Sequence, residues 1–161
     1  QMNSLKDMRI AHLIEHPFVI PVLTQWFMDE WTPWYGPGGS GNAKQDLEEC
    51  SRRDALPICL IALSENGTVL GTGTLKSKST GSKRSDGPWM SALLVSKNYR
   101  GKGIGTALIE AIEKEAQRLG FSSVYCSTNT AENTLQRRGW EADGTAETLR
   151  GPVPVYRLKL T

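Results

Sequence analysis

Three glycines occur at alternate positions directly ahead of a long helical pattern: Gly101, Gly103 and Gly105. The start of a helix presents unpaired N–H groups and the positive end of the helix dipole, so it is suited to binding an anion. Glycine lets an anion approach the backbone because it has no β-carbon. Arg100 and Lys102 add positive charge at the same place. The spacing therefore indicates a phosphate site.

Two common phosphate-binding patterns do not fit this segment. A nucleoside-triphosphate loop requires G-x-x-x-x-G-K-[ST], which the sequence lacks. A dinucleotide fingerprint requires G-x-G-x-x-G, but Thr106 occupies its last position counted from Gly101, and Leu108 occupies it counted from Gly103. The remaining pattern, Arg100-x-x-Gly103-x-Gly105, resembles the pyrophosphate loop of acyl-CoA-dependent N-acyltransferases.

The hydrophobic pattern places this loop within an α/β chain. The helix after the glycines has one apolar stripe and a charged opposite side, which is typical of a helix packed on a sheet. The predicted order is strand, two helices, three strands, the helix after the glycines, strand, helix and two strands. The first helix is predicted from about Phe18 to Trp31, and TPWYGPGGSG after it is predicted to be a loop because of its proline and glycine content.

Composition narrows the class of protein. The 161 residues are expected to form one domain spanning 1–161. Hydrophobic residues make up 39% of the chain and charged residues 22%, which is ordinary for a globular protein. The net charge of +2 is too small to indicate a nucleic-acid-binding protein, and no apolar run is long enough for a transmembrane helix. We therefore expect a cytoplasmic protein without nucleic-acid or membrane partners.

The cysteines and histidines do not indicate other catalytic chemistries. Cys50, Cys59 and Cys126 are widely spaced and form no C-x-x-C, so neither a disulfide framework nor a zinc site is expected. His12 and His16 are the only histidines, too few for a His-rich metal cluster, and no metal cofactor is expected. The chain has no nucleophile-elbow signature, and no cysteine near the glycines has an activating neighbour. A covalent acyl-enzyme is therefore not expected.

Together these features resemble the GNAT (GCN5-related) superfamily of N-acetyltransferases. An apolar strand end, a basic linker, R-G-x-G-x-G and an amphipathic helix occur at the family's spacing in LLVSKNYRGKGIGTALIEAIEKEAQRLG. The likeness continues more weakly through VYCSTNTAENTLQRRGWE, the family's second motif. It implies an α/β (α+β) GNAT fold with a mixed, mostly antiparallel sheet of six to seven strands and about four flanking helices. The layout is also distantly similar to actin N-terminal acetyltransferases and to bacterial small-molecule acetyltransferases.

The resemblance implies that acetyl-CoA is the co-substrate. In the family the pyrophosphate sits on the amides of the glycine loop, and the pantetheine arm runs along the preceding strand where it splays from the next, SSVYCST. A backbone N–H near Leu93 or Leu94 would polarise the thioester carbonyl. The implied cofactor-binding residues are Leu93, Leu94, Val95, Arg100, Gly101, Lys102, Gly103, Ile104, Gly105, Thr106 and Asn129.

The usual acid of the family is missing. In relatives, a tyrosine four residues before the glycine of the second motif protonates the leaving thiolate, but here Leu135 stands four residues before Gly139. Three alternatives stay open. Another hydroxyl acts, from Tyr35, Tyr125 or Tyr156; the thiolate leaves unassisted; or the chain is a catalytically silent CoA-binding or regulatory module.

The attacking amine must lose a proton. An alkyl amine has a pKa of about 10, so a base or a desolvated site has to assist. Ser91 corresponds to a position where relatives carry a polar or acidic group, and its hydroxyl could order a water. Glu30 ends the first predicted helix, next to the region that caps the acceptor site in the family. Ser91 and Glu30 are therefore the candidate catalytic residues.

The acceptor side is indicated by aromatic residues. Trp31, Trp34 and Tyr35 lie in the predicted loop, where aromatic side chains often line binding sites, so we predict that they contact substrate. Trp26 and Phe27 are predicted to be core residues. The expected reaction is transfer of an acetyl group to a primary amine of a small molecule or peptide, by direct attack in a ternary complex. The sequence does not decide whether the protein forms a homodimer.

Overall fold

A seven-stranded sheet forms the centre of the molecule. The computed structural model describes residues 7–79, 82–148 and 150–161. The strand order is β1-β2-β3-β4-β5-β7-β6, and every pairing is antiparallel except that of β4 with β5. The predicted mixed, mostly antiparallel sheet is confirmed. The strands are β1 Arg9–His12, β2 Ile58–Leu63, β3 Val69–Lys76, β4 Trp89–Val95, β5 Ser123–Ser127, β6 Glu141–Thr148 and β7 Gly151–Lys159.

The helices follow the predicted order with one addition. The loop prediction for TPWYGPGGSG is wrong at its start, because Thr32–Tyr35 is helical. Pro33 lies in the first turn of this helix, where backbone N–H groups have no acceptor within the helix, so a proline there removes no hydrogen bond. The Thr32 hydroxyl donates to the carbonyl of Met28 at 2.9 Å. The five α-helices in the described residues are α1 Ile20–Glu30, α2 Thr32–Tyr35, α3 Ala43–Glu49, α4 Ile104–Arg118 and α5 Glu132–Arg137.

Helices cover both faces of the sheet at β2, whose six residues are all buried. Leu60 and Ala62 belong to the core beneath α4, whereas Cys59 and Ile61 belong to the core beneath α1 and α3. Successive side chains of a strand point to opposite faces, so a strand covered on both sides is apolar throughout. This explains the uninterrupted apolar run ICLIAL.

A bulge bends β4 where the predicted site begins. Ala92 has a φ of 54°, and the pairing of β4 with β3 shifts between Thr72 and Thr74. Bulges bend a strand and change the direction of its peptide groups. Within the described residues, β4 and β5 pair only at Trp89 and Tyr125, near the start of β4. The later residues of β4 therefore have an unpaired edge, as the predicted splay requires.

Cys50, Cys59 and Cys126 are buried free thiols. In the part of the chain that the structure describes, no group of three or more His, Cys, Asp or Glu side chains is arranged to hold a metal ion. No helix in the same described ranges is long and apolar enough to span a bilayer.

Candidate functional site

The start of α4 presents unpaired amides. Gly103 is the N-cap residue, with a φ of 88° that side-chain-bearing residues rarely adopt. The first helical hydrogen bond runs from the N–H of Ala107 to the carbonyl of Gly103, at 3.0 Å. Among the described residues, no protein acceptor receives the N–H groups of Ile104, Gly105 or Thr106. Three donors at the positive end of a 15-residue helix are therefore available to an anion.

A cavity of about 270 Å³, here called the first cavity, lies over these amides. The space where a β-carbon of Gly101 or Gly103 would stand is open to 4 Å. Arg100 lies at the cavity, and its Nε donates to the carbonyl of Val95 at 2.9 Å, which anchors the guanidinium to the end of β4. The cavity is lined by Leu93, Val95, Tyr99, Arg100, Gly101, Gly103, Ile104, Gly105, Thr106, Ile109, Thr130, Ala131 and Thr134.

Eight of the predicted cofactor-binding residues line the first cavity. Three do not. Leu94 packs into the core on the other face of the sheet, whereas Lys102 and Asn129 are exposed outside the lining. The wall from the second motif is instead formed by Thr130, Ala131 and Thr134, which the sequence analysis missed.

The signal for this wall was present in the sequence as a threonine-led turn. The Thr128 hydroxyl accepts hydrogen bonds from the N–H groups of Thr130 and Ala131, at 3.1 and 3.0 Å, which turns the chain into α5. Threonine side chains commonly make such local contacts to the backbone, so the turn could be predicted from the sequence. That the turn lies at a cavity could not be predicted, because this depends on how α4 packs beside it.

A second cavity of about 280 Å³ lies between the end of α1 and the end of β4. Trp26 is half-buried, so the prediction that it is a core residue holds only for the side that packs on the core; its remainder lines this cavity. Phe27 is buried as predicted. The second cavity shares Val95 and Arg100 with the first, and its lining is Trp26, Asp29, Glu30, Leu94, Val95, Ser96, Lys97 and Arg100.

The aromatic residues predicted to contact substrate pack mainly against one another. The rings of Trp31 and Tyr35 lie 5.1 and 5.7 Å from that of Phe27, and Trp34 lies 6.4 Å from Tyr35. The Tyr35 hydroxyl donates to Asp46 at 2.7 Å, and burial together with this bond raises the pKa of Tyr35. None of the three lines either cavity. Their contact with substrate stays a prediction.

The two other tyrosines considered as acids also lie outside the first cavity. The ring of Tyr125 stacks on Trp89 at 5.3 Å. The Tyr156 hydroxyl donates to Glu132 at 3.1 Å, and burial and this bond raise the pKa of Tyr156. Leu135 is completely buried in the core beneath α4, so an apolar core side chain occupies the position where relatives have the tyrosine acid.

Ser91 and Glu30 occupy different surroundings. Ser91 directly precedes the bulge residue Ala92 and is half-buried. Glu30 lines the second cavity, with its Oε1 3.9 Å from Nη2 of Arg100. The structure therefore sets Ser91 beside the bend of β4 and Glu30 beside the glycine loop, and it does not bring the two into one cavity.

Comparison with known proteins gives the class. Residues 20–140 match the acetyltransferase (GNAT) family, which is most of the chain, so the protein belongs to this family. The predicted family, fold and enzyme class are confirmed. No curated protein matches the chain in sequence.

Solved structures share the fold over almost the whole chain. An aminoglycoside 6'-N-acetyltransferase complexed with coenzyme A is 16% identical, with a TM-score of 0.76, covering 95% of this chain and 97% of that one. A GCN5-related N-acetyltransferase from Kribbella flavida is 20% identical, with a TM-score of 0.74 and coverage of 98% and 100%. The protein yncA from Salmonella typhimurium, with its cofactor acetyl-CoA, is 17% identical, with a TM-score of 0.72 and coverage of 96% and 95%. The chain is an N-acetyltransferase of the GNAT family.

Proposed function

We propose that the first cavity binds acetyl-CoA and that the protein transfers the acetyl group to a primary amine of a small molecule or peptide. The observation that carries this proposal is the set of unpaired amides at Ile104, Gly105 and Thr106, which opens into the first cavity. A diphosphate would accept hydrogen bonds from these amides and charge-assisted ones from Arg100. Gly101 and Gly103 leave room for its oxygens.

The unpaired edge of β4 suits the pantetheine arm. Residues Leu93 to Val95 lie beyond the single pairing of β4 with β5. Apart from the Val95 carbonyl, which accepts from Arg100, their backbone groups on that side can pair with an extended, amide-containing chain. The acetyl thioester supplies the carbonyl that the amine attacks. The bulge at Ala92 changes the direction of the following peptide groups, and we assign the N–H of Leu93 or Leu94 to the developing oxyanion.

The transfer itself is a direct exchange in a ternary complex. The amine nitrogen forms a bond to the carbonyl carbon, the carbon–sulfur bond breaks, and the amine loses a proton. We assign proton removal to Ser91, acting through a water, and to Glu30. Leu135 is buried and Tyr125 and Tyr156 lie outside the first cavity, so none of these three side chains is placed to protonate the thiolate, whereas Tyr99 lines the cavity.

A small, freely diffusing amine acceptor in the cytoplasm fits these features best. Three of the similar structures are aminoglycoside 6'-acetyltransferases, one of them from Enterococcus faecium, which supports a small molecule that carries several amino groups. Three buried free thiols agree with a reducing compartment.

A turnover assay tests the proposal. Purified protein is mixed with acetyl-CoA and a panel of aminoglycosides, polyamines and peptides with free amino termini, and free thiol is measured with a chromogenic reagent. We expect release above the amine-free rate with at least one member. Saturable CoA binding without turnover across the panel would instead indicate the silent module, and absence of CoA binding would remove the first cavity as the cofactor site.

A further inference from the structure

Arg100 belongs to both cavities. Its Nε is held by the carbonyl of Val95, so the guanidinium stays at the boundary while its Nη atoms remain able to reach either side. On the side of the second cavity, Nη2 lies 3.9 Å from Oε1 of Glu30. On the other side are the unpaired amides of α4.

The contact with Glu30 is a loose one. The two side chains are 49% and 43% exposed, and 3.9 Å is long for a charge-assisted hydrogen bond. Exposed ion pairs of this kind contribute little, so a stronger anion can displace the carboxylate. A diphosphate bound to the α4 amides carries more charge than one carboxylate and would have better geometry for a guanidinium.

The carboxylate that is displaced faces a cavity suited to a cation. The indole of Trp26 offers an aromatic surface there, and Glu30 stands in the last turn of α1, where the helix dipole is negative. Lys97 and Arg100 balance the two carboxylates of the cavity while Arg100 remains on this side. Once Arg100 is drawn to a diphosphate, the second cavity is left with an excess of negative charge.

We propose that Glu30 and Arg100 couple the two substrates. Glu30 competes with the cofactor diphosphate for Arg100, and the diphosphate releases the Glu30 carboxylate to bind the ammonium group of the acceptor beside Trp26. Acetyl-CoA therefore strengthens binding of a cationic amine, and by linkage the amine strengthens binding of acetyl-CoA to the same extent. This inference rests on the proposed function, since it takes the first cavity as the cofactor site.

The competition is tested with CoA alone, by calorimetry at low ionic strength, on the wild type, Glu30→Gln, Arg100→Gln and the double variant. We expect Glu30→Gln to lower the Kd for CoA by about threefold, because a competitor for Arg100 is lost. In the Arg100→Gln background the same change should have no effect on Kd. The inference is overturned if the Kd for CoA in Glu30→Gln is unchanged or higher. It is also overturned if Glu30→Gln lowers this Kd by the same factor in the Arg100→Gln background.

Asp29→Asn is the matched control. Asp29 lines the same cavity and carries the same charge, but its Oδ1 accepts from Gln25 at 2.9 Å, and no ion pair with Arg100 is found among the described residues. We expect its removal to leave the Kd for CoA nearly unchanged. If Asp29→Asn and Glu30→Gln lower the Kd for CoA by the same factor, the change comes from the loss of negative charge in general, and the specific competition for Arg100 is refuted.

The amine half is tested with whichever amine gives the fastest thiol release. Glu30→Gln should raise the KM for that amine several-fold while it lowers the Kd for CoA, so one substitution acts in opposite directions on the two substrates. A KM for the amine that stays the same would refute the role of Glu30 in acceptor binding. If no amine is acetylated, the proposed function fails, whereas the calorimetric cycle still decides the competition for Arg100.

Discussion

At the scale of single residues, Gly103 has two roles that a variant can separate. Its φ of 88° requires a residue without a side chain, and the open space at its missing β-carbon belongs to the cavity. Gly120 has a φ of 90° and equally open surroundings, but it lies beyond the opposite end of α4. The two glycines therefore share the backbone requirement and differ in what approaches them.

Gly103→Ala should weaken CoA binding at least about tenfold, equivalent to about 1.4 kcal/mol. The added methyl group occupies space that the proposed diphosphate needs, and the strained backbone shifts the amides. Both Gly103→Ala and Gly120→Ala should lower the free energy of unfolding by about 1 kcal/mol, because the left-handed conformation disfavours any β-carbon. Gly120→Ala should leave CoA affinity unaltered. Thermal unfolding and calorimetry measure the two effects. Equal affinity in both variants would argue against the diphosphate site.

At the scale of elements, a buried carboxylate joins α4 to the wall of the first cavity. Glu113 of α4 accepts hydrogen bonds from Nε and Nη2 of Arg138 at 2.9 and 2.7 Å, and from the indole of Trp140 at 2.8 Å. Glu113 is only 9% exposed, so these bonds are shielded from water. Arg138 directly follows α5, which carries Thr134. The contact therefore fixes one cavity wall relative to the other.

Glu113→Ala should destabilise the protein by about 3 kcal/mol, because it leaves the buried indole N–H and the guanidinium without their acceptor. The matched control is Glu110→Ala, one turn earlier on the same helix at an exposed position, with an expected cost below about 0.5 kcal/mol. Urea unfolding gives both values. The role of the network would be refuted if the two variants unfold at the same urea concentration.

At the scale of the whole molecule, Glu115 connects α4 to the first strand. Its carboxylate lies 3.0 Å from Nε2 of His12 and 2.8 Å from Nη2 of Arg118. Burial by itself would raise the pKa of Glu115, but the hydrogen bonds from Arg118 and His12 hold that pKa below its ordinary value. The unfolded chain therefore binds a proton at this position more readily than the folded one does.

This difference predicts how the stability depends on pH. A carboxyl group with a lowered pKa in the folded state contributes stability above its unfolded pKa and loses that contribution as the pH falls through the folded pKa. The free energy of unfolding should accordingly fall between about pH 5 and pH 3, and less steeply in Glu115→Gln than in wild type. Glu110→Gln is the control with an exposed carboxyl group. Parallel curves for wild type and Glu115→Gln would contradict the prediction.

Local patterns in the sequence were sufficient for the glycine loop and its helix. The stripe of α4 and the glycines before it lie within about 20 consecutive residues, and their function depends on backbone groups that any helix start exposes. The apolar strands also follow from short-range hydrophobic patterns, whereas the sheet that they form was predicted from the resemblance to the family. The helical turn Thr32–Tyr35 was missed because glycine and proline nearby suggested a loop, whereas Pro33 in a first turn is compatible with a helix.

Tertiary structure decided which residues meet. Trp26 and Glu30 come together with Arg100 because α1 packs against the end of β4, about 70 residues later in the chain. Leu94 turns away from the first cavity because neighbouring residues of a strand face opposite sides of the sheet. Local spacing determines where a helix begins and what its amides can bind. Only the packing of distant elements determines which residues lie opposite those amides, because these residues are far apart in the sequence and no short-range pattern relates them.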